Sequence, residues 1–109
     1  MGVDYPGEFE HMLLLVILQL GDEAYGGRVR AQLTELVGRE PSAGALYTTL
    51  QRLESKGWVG GRQAAGSQDS GGRPRRYFRV TAAGFAALRR SRTALLTLWE
   101  PVADALDEA

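Results

Sequence analysis

The stretch "SAGALYTTLQRLESKGWV", Ser42 to Val59, decides the reading of this chain. Stepping 100° per residue from Leu46 puts Leu50 and Leu53 within about 40° of it, so three leucines share one face of a helix. The opposite face holds Gly44, Ala45, Thr48, Gln51, Arg52 and Ser55, with Tyr47 and Lys56 on its flanks. That face is slim at its start, rich in hydrogen-bond donors further on, and nearly free of acid. Ser42 is placed to cap the helix N-terminus, and Gly57 to end it. A helix with one greasy face and one small, polar, nearly acid-free face is shaped to lie against something.

Outward from this helix the pattern is regular. Phe9, Met12, Leu13, Val16, Ile17 and Leu20 predict a first helix over Phe9–Leu20. Leu14, Leu15 and Leu18 fill much of its other side. A helix apolar nearly all round needs cover nearly all round, more than one small domain supplies, so a second subunit is expected. Gly21 and Asp22 open a turn. A second helix is predicted over about Ala24–Val37, with Val29, Leu33, Leu36 and Val37 inward and Gly38 as its left-handed cap.

After Gly57 the period changes. "WVGGR" and "RRYFRVT" read as strands, joined by the Gly/Ser-rich loop "QAAGSQDSGG". Trp58 is expected to anchor the first strand in the core. Thr81 suits the N-cap of a last helix. Its Phe85, Leu88, Arg92, Leu95, Trp99, Val102 and Leu106 recur at spacings of 3 and 4, a seam for packing on another helix. Pro101 predicts a kink or a new short helix near Trp99. The fold class is therefore mainly α with a small β-hairpin, a winged helix-turn-helix. Residues 1–81 are expected to form the winged helix-turn-helix unit, with its third helix at about 42–56 and its wing at about 58–81. Residues 82–109 are expected to form a C-terminal dimerisation helix.

Composition narrows the function. The 109 residues are 44% hydrophobic and 24% charged, as in folded domains. There is no cysteine, so disulfides and thiolate chemistry are excluded. The apolar run Leu13–Leu20 is too short for a bilayer, and no signal peptide is visible, so a cytoplasmic protein away from membranes is expected. His11 is the sole histidine, expected at a dimer edge or in solvent, and no metal set or cofactor motif accompanies it. No nucleophile–base pair or paired carboxylates suggest an enzyme. The net charge of zero conceals polarity. Residues 41–92 carry ten bases against Glu54 and Asp69, a net of +8, between flanks of −4 each. Such a field draws polyanions to one surface.

The slim helix fits a major groove about 12 Å wide, and the arginine-flanked hairpin suits phosphates or an adjacent minor groove. The sequence then resembles the PadR family of transcriptional regulators. The resemblance rests on "AYGGRV" (Ala24–Val29), "SAGALYTTLQRLESKGWV" (Ser42–Val59) and "GGRPRRYFRVTAAG" (Gly71–Gly84), in order and at matching spacing. It implies a homodimer on an inverted-repeat site in double-stranded DNA, most often a repressor, of the short form with one C-terminal helix. It also implies a small-molecule effector near the dimer interface. That interface is assigned to Phe9, Leu14, Leu18, Leu88, Leu95, Trp99 and Val102.

Carried over residue by residue, the DNA contacts are Ser42, Tyr47, Thr48, Gln51, Arg52, Lys56, Arg73, Arg75 and Arg76. Ser42 and Lys56 suit phosphates. Tyr47 is either a phosphate contact through its hydroxyl or a ring packed at the helix edge. Gln51 can pair with adenine, and Arg52 with guanine or with an acid of its own domain. Pro74 stands where the family often has a basic or small residue. Trp99 is either a core or interface residue or a platform for a flat ligand. The rival reading is a winged-helix module that binds protein rather than DNA.

Overall fold

A computed structural model describes residues 4–66 and 71–108; the middle of the glycine-rich loop, Ser67 to Ser70, lies outside the described residues. Helix α1 (Glu8–Leu20) leads through a 3-10 turn to α2 (Gly26–Val37) and α3 (Ala43–Ser55). Strands β1 (Val59–Ala64) and β2 (Arg75–Val80) follow, then α4 (Ala82–Trp99), a 3-10 turn and a short α5 (Ala105–Glu108). The strands pair antiparallel, from Val59 against Val80 to Ala64 against Arg75. α4 stops at Trp99, just ahead of Pro101, as expected of a residue that lacks the N–H the helix needs.

The core forms where the three helices and the hairpin meet. Leu13, Leu14, Ile17, Val29, Leu33, Leu46, Leu50 and Leu53 are fully buried, with Trp58, Val59, Phe78, Ala87 and Leu88 closing it. The caps read from sequence are present. Ser42 accepts from the Ala45 N–H at 3.1 Å, Gly38 is left-handed at φ 68°, and Thr81 accepts from the Gly84 N–H. Gly57, at φ 76°, reverses the chain after α3, and the Thr81 hydroxyl donates to its carbonyl, tying the end of the wing to the end of α3. Gly84 lets α4 approach the wing, because a Cβ there would lie 2.2 Å from the Trp58 carbonyl oxygen.

At α2 the chain departs from the sequence reading twice. α2 begins at Gly26 rather than Ala24. The Phe78 N–H donates to the Ala24 carbonyl at 2.8 Å and Tyr25 bridges to Tyr77, so the two residues ahead of α2 join the free edge of β2. Leu36 and Val37, expected inward, are 56% and 57% exposed. They occupy the last turn before the Gly38 cap, which no other element of the described protomer covers.

Candidate nucleic-acid interface

The outward side of α3 is built as its period requires. Burying Leu46, Leu50 and Leu53 drives Thr48, Gln51, Arg52 and Ser55 into solvent. Among the described residues, Thr48, Gln51 and Arg52 make no side-chain hydrogen bond or ion pair, so their donors face outward unoccupied. Arg52 is thus not drawn to an acid of its own domain. Tyr47 is half exposed, and its ring lies across the start of α2. A Cβ on Gly26 would come 2.8 Å from the Tyr47 hydroxyl, so the ring would have to shift for any larger residue there. Ser42 uses its oxygen as the helix cap and keeps its hydroxyl proton to donate.

Lys56 and Arg76, read from sequence as DNA contacts, are held within the protomer. Lys56 Nζ sits over the Trp58 ring and 3.2 and 3.0 Å from the two carboxylate oxygens of Glu10, which is buried in α1. Glu10 Oε1 also accepts from the Gly7 N–H at 2.9 Å. A carboxylate buried this deeply requires a cation beside it, which is why Lys56 turns to α1. Arg76 donates from Nε and Nη2 to the Glu54 carboxylate at 3.1 and 2.8 Å, joining β2 to α3. That hydrogen bond, and then the charge of Glu54, push the Arg76 pKa above its already high ordinary value.

Arg73 and Arg75 stand at the base of the wing. Arg73 is exposed, and the Arg75 guanidinium lies 4.0 Å over the Tyr25 ring. Arg62, which the sequence reading did not single out, lies 4.6 Å over Tyr77 and faces Tyr77 in the strand register.

The other end of the molecule is apolar. Leu18, Leu95, Trp99 and Val102 are exposed, together with Leu15, Phe85, Leu96 and Leu98. Two residues assigned to a dimer interface belong instead to the protomer's own core: Leu14 has no exposed surface and Leu88 only 8%. In an all-apolar helix the residue beside the true core position cannot be told from it by period alone. Phe9 is partly buried and covered by Arg39, whose guanidinium is 4.6 Å from its ring. Two grooves of about 520 and 650 Å³ flank a ridge of His11, Leu15 and Leu95, and Trp99 lines the smaller. Ser91 Oγ meets His11 Nδ1 at 3.0 Å across α1 and α4, and partial burial lowers the His11 pKa. Among the described residues no group of three or more His, Cys, Asp or Glu could hold a metal, and no helix is long and apolar enough to cross a membrane.

Comparison with known proteins agrees with this geometry. The profile of the transcriptional regulator PadR-like family matches residues 14–90. A PadR family transcriptional regulator from Eggerthella lenta is 30% identical, with 94% of this chain and 88% of that one aligned at a TM-score of 0.68. A PadR-like transcription factor from Bacteroides fragilis is 26% identical over 92% of this chain and 91% of its own, with a TM-score of 0.73. A PadR-like regulator from Bacillus cereus, 24% identical over 92% and 88% with a TM-score of 0.67, shares the fold. No curated protein matches the sequence.

Proposed function

The chain belongs to the PadR-like family of transcriptional regulators, not a family of enzymes, and from that premise we propose that it is a homodimeric repressor of an inverted-repeat DNA site, released by a small apolar effector. The observation that carries the reading is the acid-free outer face of α3, where Thr48, Gln51 and Arg52 are exposed with their donors unoccupied. In a major groove Gln51 suits adenine and Arg52 guanine, each in a two-bond pairing. Ser42 and Tyr47 serve phosphates at the edge of the groove. Arg73 and Arg75 serve phosphates at the wing. Lys56 and Arg76 act as braces behind this surface.

Residues 1–81 are the DNA-binding unit and 82–109 the dimerisation segment, aided by the outer side of α1. A continuous exposed apolar face of this kind marks an association surface, and a two-fold dimer presents its two α3 helices to half-sites about one helical turn, 34–36 Å, apart. The groove beside Trp99, about 520 Å³, is within the usual range for a small-molecule site, about 300–1,000 Å³. A ligand there would reshape the surface on which the protomers meet. Repression needs only occupancy of the site.

The test is selection from a randomised duplex pool, followed by affinity at several salt concentrations and transcription in vitro from a template bearing the selected site. An inverted repeat, a steep negative salt slope and reduced transcription are expected. No enrichment, with binding no stronger than to any polyanion, would transfer the reading to a protein-binding winged-helix module.

A further inference from the structure

The solvent side of the small sheet carries a stacked row that the assigned contacts do not use. Arg62, Tyr77 and Tyr25 sit side by side across it, and Arg75 covers Tyr25. The rings of Tyr25 and Tyr77 meet edge to face at 5.6 Å and 68°. The guanidinium of Arg62 lies 4.6 Å from the Tyr77 ring centre, and that of Arg75 lies 4.0 Å from Tyr25. We infer that Arg62 is a DNA-backbone contact and that Tyr77, itself held against Tyr25, is a positioning residue that keeps the Arg62 guanidinium flat with its N–H edge turned to phosphate.

This inference rests on the DNA-binding reading and extends it to residues that reading leaves out. An arginine stacked on a ring loses rotamer freedom but keeps its five N–H groups in the guanidinium plane, free to meet an anion. Arg62 is exposed and, among the described residues, makes no ion pair; Asp22 shares a small recess with it but lies outside ion-pair distance. The rings are themselves fixed. Tyr25 is bridged to Tyr77 by backbone pairing, and the Val29 N–H donates to the Tyr25 carbonyl at 2.9 Å, so α2 starts from the same residue. Gly26, next in the chain, packs against Tyr47 of α3. The row is therefore in fixed register with the recognition helix. An ordinary surface arginine has no such seat.

The experiment uses the full chain, circular dichroism as a check of fold, and binding to the selected duplex and an unrelated one over a salt series. Each phosphate contact contributes about 0.9 to the slope of log affinity against log salt, so Arg62→Ala, lost twice per dimer, should flatten it by about 1.8. With the curves converging near 1 M salt, that is about a sixtyfold loss at 0.1 M, equal on both duplexes. Tyr77→Leu should flatten the slope in the same direction, Tyr77→Phe should not, and Arg62→Ala with Tyr77→Leu should bind no worse than Arg62→Ala alone. If Tyr77→Leu does not fold, Arg62→Lys makes the same point, keeping most of the slope but losing affinity with the flat stack. A parent-like slope in Arg62→Ala would overturn the contact. Full additivity of the pair, or parent-like affinity of Arg62→Lys, would overturn the positioning. A parent that binds neither duplex refutes the DNA reading itself, a separate outcome.

Discussion

Glu54 is the one acid on α3, and neutralising it should strengthen DNA binding. Its carboxylate takes two donors of Arg76, at 3.1 and 2.8 Å, and keeps that guanidinium beside the helix rather than at a phosphate. Glu54→Gln removes one negative charge per protomer and releases Arg76 at the junction of α3 and the wing. If each released guanidinium meets one phosphate, a dimer gains two contacts, and the salt slope steepens by about 1.8. The corresponding gain at 0.1 M salt has a ceiling near sixtyfold on the same convergence at 1 M. Fluorescence anisotropy of a labelled duplex between 0.05 and 0.5 M salt, about one decade, reads both quantities. Arg76→Ala supplies the second arm. It should change little in the parent and cancel the gain in Glu54→Gln. Weaker binding by Glu54→Gln at an unchanged or flatter slope would refute the reasoning, since it would mean that Glu54 aims Arg76 at the DNA.

Three further outcomes are expected. Gly84→Ala would set a Cβ 2.2 Å from the Trp58 carbonyl oxygen and 2.7 Å from Val80; overpacking of this kind costs about 1–3 kcal/mol, or about 4–8 °C of melting temperature per kcal/mol, and an unchanged melt would show that α4 can slide. Leu95→Asp, on the exposed ridge between the grooves, should leave a folded monomer at micromolar concentration in sedimentation equilibrium and weaken operator binding, whereas a persistent dimer would place the interface elsewhere. Partial burial lowers the His11 pKa below its ordinary 6.5, so the unfolded chain takes up this proton first; the stability tied to neutral His11 is complete above pH 6.5 and is lost as pH falls through the folded-state value. Urea titrations across that range should show a loss that His11→Gln flattens, and an identical acid limb in the variant would remove His11 from the cause.

Most of the fold was legible in the sequence because its signals are local. The leucine period of α3, the left-handed glycines and the Ser42 and Thr81 caps each act within one turn of chain, and each appears where it was read. What sequence could not supply was pairing across distance. Lys56 finds Glu10 46 residues away, and Arg76 finds Glu54 22 residues away, so two bases that look free in the sequence are held in the structure. The seat of Arg62 on Tyr77 depends on strand register, and that of Arg75 on Tyr25 depends on backbone bonds that draw Ala24 and Tyr25 out of α2. The choice between Leu14 and Leu15 failed for another reason. Consecutive leucines carry no contrast, and only the packed neighbours show that the first is core and the second 43% exposed.

These pairings also change how the charge block acts. The sequence alone makes residues 41–92 a uniform +8, a field that would hold any polyanion anywhere along it. In the structure, Glu10 neutralises Lys56 at the foot of α3 and Glu54 neutralises Arg76 beside it, while Arg89 and Arg92 line the apolar groove on the far side. On the proposed DNA side stand Arg52 in the middle of α3 and, on the wing, Arg62, Arg73, Arg75 and Arg79. The positive charge then divides into two patches, one on the helix that we propose meets base edges and one on the strands that we propose meet the backbone. Changes at Gln51 and Arg52 should redistribute preference among duplexes, changes at the wing should move all duplexes together, and the two sets should combine additively because they share no partner.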